Sequence, residues 1–224
     1  MIPPRGSRVN GEGLPADGEA VSSALPPSRA HAWDASQRRG CRASLALTLL
    51  RLALAPGLAA IAHSPMPGVA LAAGLVLGFV SDVLDGIVAR RAGVVTPFLR
   101  RLDSSVDTVF YLGVAYAAWV RHPAALRSLA VPILAVIVAE VLNYLVALVK
   151  FGREASYHAR SAKLWGLLLF LALVTLFAAG DARILPVALA AGVLAQAETL
   201  AITLVLRGWR HDVPSVWNAL RVRA

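Results

Sequence analysis

Six apolar stretches, roughly 43–62, 66–89, 98–120, 126–149, 162–180 and 183–206, follow one another along the chain with short links between them. A bilayer core takes about 20 apolar residues to cross as a helix, and each stretch reaches or nearly reaches that length. Inside hydrocarbon a helix satisfies its own backbone polar groups. The expected fold is therefore an all-α membrane protein, a six-transmembrane-helix bundle whose neighbours pack antiparallel across the short links. Hydrophobic residues make up 58% of the 224 and charged residues 16%. A soluble domain carries more charge than that. The single cysteine, Cys41, excludes an internal disulfide and any cysteine-rich metal site. No internal repeat is visible.

Residues 1–40 are rich in Pro, Gly, Ser and charge and lack apolar periodicity, so they read as a disordered cytoplasmic tail. Residues 41–206 form the expected membrane domain. Residues 207–224 form an interfacial tail, with Trp209 and Trp217 among Arg207, Arg210 and Arg221, where a short amphipathic helix would lie on the membrane surface. Arg38 and Arg39 before the first apolar run invite a twin-arginine signal reading, but Arg51 interrupts that run and five more apolar segments follow. The net charge of +9 would suit nucleic acid in a polar chain. In one this apolar it reports anionic headgroups and the positive-inside rule, and no nucleic-acid partner is expected. With both termini inside, 19 of the 22 basic residues fall on the inner side, leaving Arg121, Arg127 and Arg183 outside. The link at 90–101 is then cytoplasmic.

Around that link the apolar pattern breaks. Asp82, Asp85, Gly86, Ala89 and Arg90 fall at i, i+3, i+4, i+7 and i+8, which is one face of a helix. Asp103 and Asp107 fall at i and i+4 on the next, where Thr96 is an N-cap and Pro97 the first helical residue. Carboxylates in an apolar helix are costly and face a cavity or a partner. Four together repel unless a cation lies between them. Their hard oxygens suit Mg²⁺, Mn²⁺ or Ca²⁺ rather than zinc.

The stretch resembles the signature of the CDP-alcohol phosphotransferase (CDP-alcohol phosphatidyltransferase) family, D-x2-D-G-x2-A-R-x8-G-x3-D-x3-D. Asp82, Asp85, Gly86, Ala89, Arg90, Asp103 and Asp107 match in identity and spacing, and Leu99 stands where the pattern has its second glycine. Thr48, Arg51 and Pro56 resemble the T-x2-R-x4-P pattern of the family's first helix. The resemblance covers roughly 43–206. It implies transfer of a substituted phosphate, phosphatidyl by expectation, from a CDP-activated lipid or alcohol such as CDP-diacylglycerol to an alcohol acceptor. CMP is released, and the setting is phospholipid biosynthesis. It implies two divalent ions, Mg²⁺ or Mn²⁺, held by Asp82, Asp85, Asp103 and Asp107, with Asp107 also the general base. Gly86, Ala89, Arg90 and Leu99 would line the nucleotide and phosphate site, where leucine is expected to narrow or reshape the cytidine pocket. Arg153, Arg160 and Lys163, with His158 beside them, are candidates for an acceptor or anion pocket. The expected setting is a multi-pass protein of a bacterial-type cytoplasmic (inner) membrane, in contact with its lipids, with the site on the cytoplasmic side and a homodimer as the assembly.

Several residues keep two readings. Arg51, inside an apolar run, either meets an acid or phosphate or snorkels to the near interface. Glu140 and Asn143 read as hydrogen-bonding glue between helices. Glu198 is expected to pair with a basic group or with Asn143. Two other functions compete with the enzyme. A cation-coupled transporter would place the acids near the midplane, on broken helices in two related halves. A non-catalytic member of the family is suggested by Leu99.

Overall fold

The computed structural model describes residues 34–94, 96–153, 157, 159–210 and 213–223. Among them every regular element is an α-helix: α1 (Ala35–His63), α2 (Gly68–Ala92), α3 (Pro97–Arg121), α4 (Pro123–Ser128), α5 (Ala130–Phe151), α6 (Arg160–Ala179), α7 (Leu185–Val205) and α8 (Val216–Arg223). Five of these, α1, α2, α5, α6 and α7, are long and apolar enough to cross a membrane. The sixth expected span is α3. Its 25 residues have the length, but Asp103, Asp107 and the hydroxyl residues around them lower its apolarity.

Helix α1 starts at Ala35, so it takes in residues 35–40 that were expected in the tail. The sequence Ala-Ser-Gln-Arg-Arg is good helix material, and the Gly- and Pro-rich composition that argued for disorder lies further upstream. The rest of the expected tail, residues 1–33, and His158 lie outside the described residues.

Local chemistry sets the ends. Gly93, Gly152 and Gly180 close α2, α5 and α6 in the left-handed conformation at φ of 65°, 65° and 67°, where a side chain would be strained. Thr96 caps α3 as its spacing predicts, its Oγ1 accepting from the Leu99 N–H at 3.2 Å with Pro97 in the first turn. At the far end Arg121 donates to the carbonyls of Ser64 and Met66 at 3.0 and 2.7 Å, tying α3 to the α1–α2 link.

Helix α1 packs on α2 and α3, α2 on α6, α6 on α7, and α7 on α5 and α8. The contacts of α1 and α2 with α3 are close because they use small residues. A Cβ added at Gly113 would sit 3.0 Å from the Ala55 carbonyl oxygen, and one at Gly78 would overlap the Phe110 ring. Leu58, Leu71, Leu75, Phe110, Val114, Leu176 and Phe177 fill the core that holds these helices together. A second, smaller core gathers Ile202, Leu206, Val213, Ala219 and Ala159, seating α8 against the end of α7. Trp217 of α8 stays 75% exposed, on the outward face of the helix. Helices α3 and α5 do not meet: among the described residues no Cα atom of one lies within 8 Å of the other.

Candidate active site

Helix α1 places Ser44, Thr48 and Arg51 on one face, at i, i+4 and i+7, turned towards α2 and α3. That face meets the aspartates. Arg51 is 1% exposed and its guanidinium stands among all four. Nη1 donates to Asp82 at 3.0 Å and to Asp107, and Nη2 to Asp85 at 2.8 Å and to Asp103 at 2.5 Å. Of the two readings of Arg51, the acidic partner holds and snorkelling does not. A guanidinium can do this because its planar fork presents several donors at fixed angles.

The four carboxylates are not equivalent. Asp85 is buried, and it accepts from Ser44 Oγ, from Thr48 Oγ1 at 2.8 Å and from Arg51. Asp82, Asp103 and Asp107 are each about a third or more exposed, and each can offer one oxygen within 4.8 Å of the others. These three make the group with metal-binding geometry, while Asp85 sits behind it with its oxygens engaged. The donor set fits a hard divalent cation. Four carboxylates against one guanidinium leave three net negative charges for a cation to offset.

A cavity of about 300 Å³ opens beside Asp85 and Asp103. Gly86, Ala89, Arg90 and Leu99 line it, so the structure brings together the residues singled out for nucleotide and phosphate. Arg100 joins them. The Arg90 guanidinium folds over Gly86, where an added Cβ would lie 3.1 Å from Nη1. The glycine thus makes room for the arginine of its own motif. Leu99 faces this cavity rather than lipid, as one wall of it.

Two further cavities share a wall, and one of them is reached by an aspartate. One of about 310 Å³ is almost wholly apolar, walled by Leu75, Leu169, Phe170 and Leu173 together with Tyr111 and Trp165. The other, of about 760 Å³, fills the space between α3 and α5 and is reached by Asp107. Tyr111 and Trp165 line both.

Arg153, Arg160 and Lys163 of the basic segment after α5 do not line these cavities. Arg153 stacks its guanidinium over the Trp209 ring at 5.4 Å, and Arg160 and Lys163 are exposed. None of the three lines a cavity that holds an aspartate. Among the described residues Glu198 does not pair with Asn143 or with a basic group. Its Oε1 accepts from the Val216 N–H at 3.4 Å, at the start of α8. Asn143 instead donates to the carbonyl and the side chain of Gln196 at 2.9 and 2.8 Å, and Gln196 donates to Glu140 at 2.6 Å.

Sequence reasoning assigned no role to Ser44, Arg100, Tyr111 or Trp165. For Ser44 a signal was present, the shared helical face with Thr48 and Arg51. Tyr111 lies one turn beyond Asp107, also at i+4. Trp165 is brought in by the packing of α6 alone. The family model for CDP-alcohol phosphatidyltransferase matches residues 43–207 of the chain. No curated protein and no solved structure matches it.

Proposed function

This chain belongs to the CDP-alcohol phosphatidyltransferase family, and from that premise we propose that it moves a phosphatidyl group from CDP-diacylglycerol to an alcohol at the cytoplasmic face of the membrane. The observation that carries the reading is the convergence of all four motif aspartates beside the cavity lined by Gly86, Ala89, Arg90 and Leu99. Choice of a lipid donor is supported by the apolar cavity that shares Tyr111 and Trp165 with the one Asp107 lines, and whose leucine and aromatic walls suit acyl chains. Against a transporter, the acids lie on helices α2 and α3, which run unbroken.

The chain's own residues divide the work. Arg90 and Arg100 meet the pyrophosphate, Arg90 with a fork suited to two oxygens at once. Asp82, Asp103 and Asp107 would hold Mg²⁺ or Mn²⁺, which when bound supplies charge neutralisation on the pyrophosphate and the leaving CMP. Arg51 and Asp85, fixed by Ser44 and Thr48, hold the other carboxylates in register. Asp107 faces the cavity between α3 and α5 and takes the proton of the acceptor hydroxyl. The acceptor oxygen forms its bond to the phosphorus next to the lipid alcohol. The bond from that phosphorus to the bridging oxygen breaks, and CMP leaves with the electron pair.

Comparing two carboxamide variants tests the assignment. Asp107→Asn keeps size and one oxygen ligand but loses the base, so turnover should fall by at least about 10²-fold while donor binding survives. Asp82→Asn should weaken metal affinity and be partly restored by added Mg²⁺ or Mn²⁺. CMP release is measured against metal concentration, with donor binding followed separately. If excess metal rescues both variants equally, Asp107 is a ligand and not the base. If neither variant alters metal dependence, the metal-site reading and the enzyme class fall together.

A further inference from the structure

The cavity between α3 and α5 differs in charge from the nucleotide cavity, where Arg90 and Arg100 stand beside Asp85 and Asp103. Its polar lining is Asp107, Ser104, Thr108 and Tyr111 from α3, Glu140 from α5 and Trp165 from α6. Two of these six are carboxylates and none is basic. Asp107 lies ten residues inside the start of α3, and Glu140 lies eleven residues inside the end of α5. At 1.5 Å per residue both sit about 15 Å in from the ends that face the site. They therefore meet the same cavity at similar depth.

Among the described residues Glu140 has no cationic partner and is held by the Gln196 amide, which donates to Oε2 at 2.6 Å. Gln196 is fixed in that sense because its own oxygen accepts from Asn143 Nδ2 at 2.8 Å. The Asn143–Gln196 pair thus anchors one carboxylate oxygen and leaves the other to the cavity. A carboxylate at membrane depth that meets only a neutral amide is costly to keep and marks a functional position. The cations that might have answered it are engaged or placed elsewhere. Arg51 serves the four aspartates, Arg90 and Arg100 line the nucleotide cavity, and Arg153 lies on Trp209.

We propose that this cavity receives the acceptor and that the acceptor is an amino alcohol, with Glu140 holding its ammonium group while Asp107 faces its hydroxyl. The proposal rests on the transferase reading above and names the substrate class of that site. A phosphorylated acceptor would bring about two negative charges into a space whose lining holds two carboxylates and no basic residue, with Arg51 bonded to Asp107 alone of the two. An ammonium is matched three ways, by the free Glu140 oxygen and by the rings of Tyr111 and Trp165. Ser104 and Thr108 add hydroxyls for the polar remainder of a small molecule. Glu140 and the Asn143–Gln196 pair behind it then work as specificity and positioning residues, not as packing alone.

The experiment uses the purified full-length chain with Mg²⁺ and CDP-diacylglycerol. Three small acceptors are offered, ethanolamine, glycerol and glycerol 3-phosphate, and CMP release above the acceptor-free background is read together with the lipid product. Ethanolamine is expected to be used best and glycerol 3-phosphate worst. Glu140→Gln, which keeps the size and the bond to Gln196, should raise KM for ethanolamine about 10- to 100-fold, the worth of a charged hydrogen bond, with kcat held within about threefold. Its preference for ethanolamine over glycerol should fall by the same factor. An unfolding temperature equal to the parent's checks that the variant is folded. Best use of glycerol 3-phosphate, or an unchanged KM for ethanolamine in a folded Glu140→Gln, overturns the proposal and leaves the transferase reading standing. No CMP release with any acceptor overturns both.

Discussion

The two sides of the aspartate row are built differently. On the side of α1 and α2 the helices are in close contact through small residues, and a buried arginine ties four carboxylates to a third helix. The cavity there is small, about 300 Å³, and has Arg90 and Arg100 in its wall. On the side of α5 the helices stand apart, the cavity is more than twice as large, and its charged groups are acids. The contrast separates two tasks. A fixed wall that carries two arginines suits a nucleoside diphosphate, whose charge and shape are constant. A wide, acid-lined gap suits an acceptor that must enter and a product that must leave through the membrane.

Removing Arg51 should break the first side most severely. Arg51→Leu leaves four carboxylates facing one another without their cation. Loss of one partner from a buried charge network costs about 3–5 kcal/mol, and the lower end applies because three of the four acids still reach solvent. In detergent without divalent ions the variant should unfold well below the parent temperature. Added Mg²⁺ should raise its unfolding temperature more than the parent's, because no guanidinium competes for the oxygens. Arg51→Lys, a point charge that cannot span four acceptors, should fall between. An unchanged unfolding temperature for metal-free Arg51→Leu would mean that the carboxylates do not depend on the arginine, and the close-knit side would lose its explanation.

A smaller effect separates the basic residues by location. Arg90→Ala and Arg100→Ala should each raise the donor KM about 10- to 100-fold, as expected for a lost charged contact to phosphate. Arg160→Ala and Lys163→Ala should move it far less, since both side chains are exposed and neither lines the nucleotide cavity. Donor KM from CMP release checks both pairs. Equal losses in the two pairs would bring the basic segment into the site and erase the contrast in charge between the two sides.

How much of this was legible in the sequence varies with the range of the interaction. The aspartate face, the Thr96 cap with Pro97 and the glycines that end helices are local patterns, and each reads directly from spacing. Arg51 was the harder case. Its partners lie 31 to 56 residues away, and whether it meets them depends on how α1 is rotated about its axis. The four arginines of the aspartate stretch, Arg90, Arg91, Arg100 and Arg101, gather at the link between the helices rather than among the acids, so the stretch taken alone pointed to a metal and stopped there. The same acids that identified α3 also kept it below the apolarity of the other spans. Asn143 was read as glue, but the partner named for it was Glu198. Gln196 takes that place because it is two residues, or about 200°, round the helix from Glu198, and only one of the two faces α5. The gap between α3 and α5 has no sequence signature at all, because it is set by which helices touch.

Leu99 gives the finest test, since it is the one motif position that departs from the family pattern and it faces the cavity proposed for the nucleotide. Its backbone N–H makes the bond to Thr96 Oγ1, so the helix start survives loss of the side chain. Leu99→Ala therefore opens the cavity without disturbing the cap or the helix. Leu99→Gly restores the family residue but carries a helix penalty of about 1 kcal/mol. Comparing the two separates volume from propensity. If leucine only narrows the wall, both variants should keep or raise turnover with a cytidine donor, and donor KM should stay within about threefold or fall. If leucine packs on the donor, both should lose more than about tenfold in kcat/KM, the scale of a missing apolar pocket contact. That loss, in variants whose unfolding temperature matches the parent's, would make Leu99 a working wall of the pocket. The tight side of the site would then owe its nucleotide fit to this chain's own departure from the pattern.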